Sequence, residues 1–133
     1  MCPVYINRIA SIHAESRNEK PYFSAQEPDY KEMITNANLR RRMSRMIKMG
    51  VACGLECLKD ISPEKVDAII TATGLGCLTD TEKFMNALMD NREQMLNPTA
   101  FIQSTFNTIG AQIALLLKIH AYNVDVCTPW FKF

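Results

Sequence analysis

The chain lacks a long apolar run. Its longest is Ile113–Leu117, far short of the ~20 residues a membrane helix needs. Its start, Met1-Cys2-Pro3-Val4-Tyr5, lacks the basic stretch and apolar core of a secretory signal. No membrane partner and a cytoplasmic location are therefore expected. Neither sign of charge is in excess. Fifteen basic and fourteen acidic residues leave a net charge of +1, so composition predicts no nucleic-acid partner. There are only two histidines, His13 and His120, and the cysteines at 2, 53, 57, 77 and 127 contain no C-x2-C pair. That spacing argues against zinc, and no metal or other cofactor is expected. The odd, irregular cysteine set argues against a disulfide framework and suits a reducing compartment. Buried free thiols are the expectation. No internal repeat or low-complexity stretch is present.

What is there is an ordinary globular balance over 133 residues, 47% hydrophobic and 22% charged, the length of one domain. Val4–Ile12 is rich in β-branched residues and predicts a strand. Residues 13–38 are polar, contain Pro21 and Pro28, and predict a long excursion with a short helix near Tyr30–Ile34. A loop of that length in a compact domain covers something. Leu39–Lys59 is the clearest helix. Leu39, Met43, Met46, Ile47, Val51, Leu55 and Leu58 recur at spacings of mostly three and four, and Asn38 stands where a cap belongs. Arg40, Arg41, Arg42, Arg45 and Lys48 crowd its first half, against the helix dipole. Gly50, Ala52, Cys53 and Gly54 form a small-residue patch that admits another backbone at close range, although each glycine weakens the helix by about 1 kcal/mol.

Ser62-Pro63-Glu64 reads as a capped turn. Val66–Thr73 reads as a strand covered on both faces, since Asp67 is its only charge, and Gly74-Leu75-Gly76 ends it. Thr79-Asp80-Thr81-Glu82 matches a capping box and opens a helix to about Arg92, with Phe84, Leu88 and Met85 inward. After Asn97-Pro98, residues 101–119 predict a second strong helix with Phe106, Ile109, Ile113, Leu116 and Leu117 on its apolar face. Asn123–Thr128 predicts a strand, followed by an aromatic tail. This order indicates an α/β layer with parallel pairing.

Four features invite a chemical reading. Arg40, Arg41 and Arg42 suit phosphate contacts, against the plainer reading of a solvated helix end. Gly74-Leu75-Gly76 follows a strand as a dinucleotide loop does, but position 79 is Thr79 where the third glycine belongs, so a tight turn is expected instead. Cys127 ends an apolar strand, where α/β folds present functional groups. A thiolate needs a base, a cation or a helix N-terminus beside it, and without one Cys127 is a structural thiol. His13 and His120 stand in no recognisable catalytic motif. Met43, Met46 and Met49 are most simply gap-filling core.

Three blocks together resemble the N-terminal part of β-ketoacyl synthases. They are the helix from Leu39 to Asp60, the strand and glycine turn from Asp67 to Gly76, and Asn97 to Leu115 leading into His120-Ala-Tyr-Asn123. The resemblance implies an α/β fold that is an incomplete thiolase-like half, a layered sheet with packed helices, over residues 1–133. It implies decarboxylative carbon–carbon condensation on an acyl carrier protein in fatty-acid, polyketide or pigment synthesis. It also implies a homo- or hetero-oligomer paired through an edge strand, with Asn123, Val124 and Val126 as interface candidates. Arg40, Arg41 and Arg42 become candidate carrier or phosphate contacts. Aligning Ala121-Tyr122-Asn123 with the family's turn puts the expected cysteine near Trp130. Cys127 lies three residues early, and the family's two histidines, or histidine and asparagine, have no counterpart. The expectation is therefore a member that is non-catalytic alone, as a partner subunit or a fragment. The alternatives are an acyltransferase using Cys127, and an unrelated anion-binding module using the arginines.

Overall fold

The computed structural model describes residues 3–14 and 25–127. Helix α1 (Tyr30–Met33) opens the packed body, with Asp29 accepting from the Lys31 N–H at 2.8 Å. Helix α2 (Ala37–Arg42) follows. Its cap is Asn36 rather than Asn38: the Asn36 amide oxygen accepts from the N–H groups of Asn38 and Leu39 at 3.1 and 3.2 Å. Helix α3 (Arg45–Leu58) starts only after the chain turns extended at Met43 and Ser44. The single helix expected over 39–59 is thus two, broken where the arginine run ends. The break separates most of the like charges from the longer helix.

A 3-10 turn at Pro63–Lys65 leads into β1 (Ala68–Thr73). Helix α4 (Leu78–Asp90) begins one residue before the expected capping box, with Cys77 as its cap. Phe84 and Leu88 are half-buried as expected, whereas Met85 is exposed. Asn97 caps α5 (Pro98–Ser104), and α6 (Thr108–Leu117) leaves it at 107°. The predicted helix over 101–119 is therefore also two. The bend is held by Thr108, whose hydroxyl donates to the Ile102 carbonyl and lies 3.1 Å from the Thr105 hydroxyl. Phe106 falls in the bend and is half exposed. No single helix among the described residues is long and apolar enough to cross a membrane.

Strand β2 (Tyr122–Cys127) pairs with β1 in parallel, from Ala68 opposite Tyr122 to Thr73 opposite Cys127. The fold is thus the expected α/β layer, in which β1, α4, α5, α6 and β2 make one long crossover. Burial alternates along β1: Ile69, Thr71 and Thr73 are half covered and Ala68, Ile70 and Ala72 are exposed. The strand is therefore covered on one face, not both. Helix α6 lies on the covered face, where an added Cβ at Gly110 would stand 2.8 Å from the Thr71 hydroxyl and 2.7 Å from Asn123 Oδ1.

The core sits where α3 meets α6. Ile34, Met43, Ile47, Val51, Cys77 and Ile113 are its buried members, with Leu55, Ile69, Ile109 and Leu116 packed around them. The small-residue patch does what its composition implies. Gly50 faces the Ile109 side chain and Gly54 faces Ile113, with no room for a methyl group at either position. The strand expected over Val4–Ile12 does not form. Its side chains are largely exposed, and among the described residues no strand lies beside it; the one antiparallel bridge nearby joins Ala14 to Ala25. β-Rich sequence without a pairing edge has nothing to offset the cost of ordering the backbone. Arg8 ties this segment to α3, donating to the Glu56 carbonyl at 3.2 Å and pairing with Asp60 at 2.9 Å.

Candidate functional site

In a parallel α/β layer the chemistry belongs beyond the carboxyl ends of the strands. Here that edge is Thr73 and Cys127, side by side in the last register position. The chain turns sharply after Thr73. Gly76 adopts φ +62° and donates its N–H to the Thr73 hydroxyl at 2.8 Å. The Phe106 ring fills the place a side chain would need, so glycine is required at 76 by both backbone and neighbour. A cavity of about 300 Å³ opens there, lined by the turn together with Met46, Phe106 and Ile109.

Neither histidine reaches this edge. His120 precedes β2 and lines a separate cavity with Lys118 and Asn123. It therefore lies beyond the opposite end of the strand from Cys127, and the strand alone spans about 16 Å at roughly 3.3 Å per residue. His13 lies on the N-terminal segment, 3.3 Å from the Ser11 hydroxyl. Among the described residues no group of histidine, cysteine and carboxylate side chains is arranged to hold a metal.

Cys77 and Cys53 are kept quiet by their surroundings. Burial pushes Cys77 up, and the neighbouring Asp80 carboxylate adds to it. Burial also raises Cys53, with Cys57 contributing, against a backbone hydrogen bond from Ile12 that lowers it. Both therefore favour the protonated, unreactive form.

The three arginines separate. Arg40 reaches back to the Ile34 carbonyl and splints α1 to α2. Arg41 donates to the Asn38 side chain at 2.9 Å. Arg41 and Arg42 then line a second cleft with Met43, Ser44, Asp80, Lys83, Ala100 and Gln103. Sequence reasoning missed Ser44 and Asp80 here. Asp80 was legible only as part of a helix start, because nothing in its spacing indicates that it is 95% covered. The interface candidates lie on β2: Val124 is half-buried, Asn123 and Val126 are exposed, and β1 is the only pairing neighbour of β2 among the described residues.

The comparisons with known proteins agree with this geometry. The family described as beta-ketoacyl synthase, N-terminal domain, matches residues 13–124. No curated protein matches significantly. Among solved structures, a chain from the ketosynthase ApeO in complex with its chain length factor ApeC, from Xenorhabdus doucetiae, aligns with a TM-score of 0.62 at 21% identity. The alignment covers 80% of this chain and 41% of that one, so the present chain spans about two fifths of its neighbour's length.

Proposed function

The chain belongs to the β-ketoacyl synthase family, through that family's N-terminal domain, and on this premise we propose that it is a scaffold part of a ketosynthase-type unit that performs no condensation alone. In this reading residues 1–133 form one partial synthase N-terminal domain. The observation that carries it is the placement of Cys127 and His120 at opposite ends of β2. Condensation needs a thiolate to hold the acyl chain and donors to stabilise the developing enolate, and His120, beyond the far end of β2, stands away from Cys127. Purified chain given malonyl-loaded carrier protein and an acyl primer should release carbon dioxide no faster than a protein-free control. Enzyme-like turnover would overturn the proposal.

The partner in this reading is a second synthase-type chain. The Xenorhabdus neighbour is a ketosynthase solved in complex with its chain length factor. Among the described residues the second edge of β2, with Asn123, Val124 and Val126, has no pairing strand, which leaves it open to strand addition. A second copy of this chain would use the same edge. The carrier protein would meet Arg41 and Arg42, with Arg40 held behind them.

One observation favours a second reading, in which Cys127 itself accepts an acyl group. Its backbone stands at the carboxyl end of β2, beside the glycine turn. A thiol-reactive acyl analogue should then label Cys127 well ahead of Cys53 and Cys57. Equal labelling of the three removes this reading.

A further inference from the structure

The break between α2 and α3 creates a cleft of about 180 Å³ against the start of α4 and the middle of α5, the space of roughly six waters. Its walls carry opposite chemistries. At the rim are three exposed cations, Arg41, Arg42 and Lys83. None of them is ion-paired with Asp80, although all line the same space. At the floor is Asp80, only 5% exposed, with its Oδ2 buried and lacking any hydrogen-bond partner. Beside it is the Ser44 hydroxyl, also buried and unpartnered. Ser44 is the N-cap of α3, yet it makes no capping hydrogen bond, although a serine there ordinarily spends its hydroxyl on the first turn. Leaving a buried polar group unpaired is costly. Both residues line one cleft, and a ligand seated there can supply the missing partners.

We propose that this cleft binds a small phosphate ester bearing a free hydroxyl group. The phosphate lies at the rim, where Arg41, Arg42 and Lys83 supply charge and donors and Ser44 marks the start of a fourteen-residue helix. The hydroxyl reaches inward and donates to Asp80 Oδ2, while the Ser44 hydroxyl bonds to the ester or its neighbour. A phosphate without a hydroxyl satisfies only the rim, and a polyol without phosphate only the floor. The pairing of both functions in one molecule is what the site selects. The inference shares Arg41 and Arg42 with the carrier contact proposed above but does not require the chain to condense acyl groups. Two sources supply the chemistry, a free phosphorylated metabolite and the phosphopantetheine arm of a carrier.

Calorimetric titration of the full chain at neutral pH and low salt tests it. Glycerol 3-phosphate should bind about tenfold or more tightly than inorganic phosphate, and glycerol should not bind measurably. Asp80→Ala should bring glycerol 3-phosphate down to the level of inorganic phosphate. Arg42→Ala should weaken both phosphates alike. Because Asp80 is buried, Ser44→Ala serves as a milder second variant and should lower affinity for the ester more than for inorganic phosphate. Circular dichroism confirms that each variant is folded. 4′-Phosphopantetheine is the remaining probe: tighter binding than glycerol 3-phosphate assigns the carrier arm, and weaker binding the free metabolite. Absence of glycerol 3-phosphate binding at millimolar concentration overturns the proposal, as does unchanged affinity in both the Asp80 and Ser44 variants.

Discussion

Asn36 closes two backbone donors with one side-chain oxygen, and α2 has only six residues to stabilise itself. Asn36→Ala should cost about 1 kcal/mol, read as a lower denaturation midpoint at unchanged slope. At Gly54 the α3–α6 contact leaves no space for a methyl group unless the terminal carbon of Ile113, a residue only 7% exposed, moves aside within the core. Gly54→Ala should therefore destabilise: overpacking costs about 1–3 kcal/mol, more than the roughly 1 kcal/mol gained in helix propensity. Adding Ile113→Val, which removes the clashing methyl, should recover part of the loss, and a double-mutant cycle measures the coupling. Glu27 is held below its ordinary value by the Tyr30 hydroxyl at 2.7 Å first and by Arg45 next. Being depressed in the folded state, it adds stability above its unfolded value near 4.5, and that stability disappears as pH falls through the lower folded value. Glu27→Gln should flatten the acid limb of a stability profile and leave the neutral region nearly parallel to it. The glycine patch was legible because small residues at helical spacing have few other uses. The cap was legible in kind but displaced, since Asn36 and Asn38 look alike until the backbone chooses one.

At the scale of elements, both sequence-read long helices split. The apolar spacing ran unbroken through Met43 and through Phe106, so periodicity gave no warning. The cues were weak: Ser44, which can start a helix as well as sit in one, and the Thr105-Phe106-Asn107-Thr108 stretch, rich in side chains that compete for backbone bonds. The second break depends on Thr108, buried to 2% exposure and bonded to Ile102 and Thr105. Thr108→Val keeps the shape but removes one hydrogen bond from each of Ile102 and Thr105, which still bond to one another, a loss of about 0.5–1.5 kcal/mol. Thermal melting should show it, with the aromatic environment of Phe106 changing first. The N-terminal segment failed for a different reason. Its composition favours a strand, but a strand is a relation between two segments, and composition names only one of them.

For the whole molecule, the alternation of strands and helices with parallel pairing was readable because a helical crossover joins β1 to β2, and sequence order alone favours that topology. The family was readable from three blocks in order, and its N-terminal domain does match residues 13–124. The covering of β1 was misjudged. An uncharged strand suits burial on both faces, but the described residues supply helices to one. Val126→Lys adds charge on β2 while leaving the helix-packed face alone. It should shift the chain toward monomer in light scattering if β2 is the joining edge, and leave the mass unchanged if it is not.

That bare side of the β1–β2 ribbon, with Ile70 and Tyr122 each 69% exposed, has a practical outcome for anyone handling the protein. Greasy, and without a covering helix among the described residues, it makes solubility depend on dose. Dilute samples should stay clear, crowded ones should turn turbid, and a companion that shields the ribbon should reverse the haze.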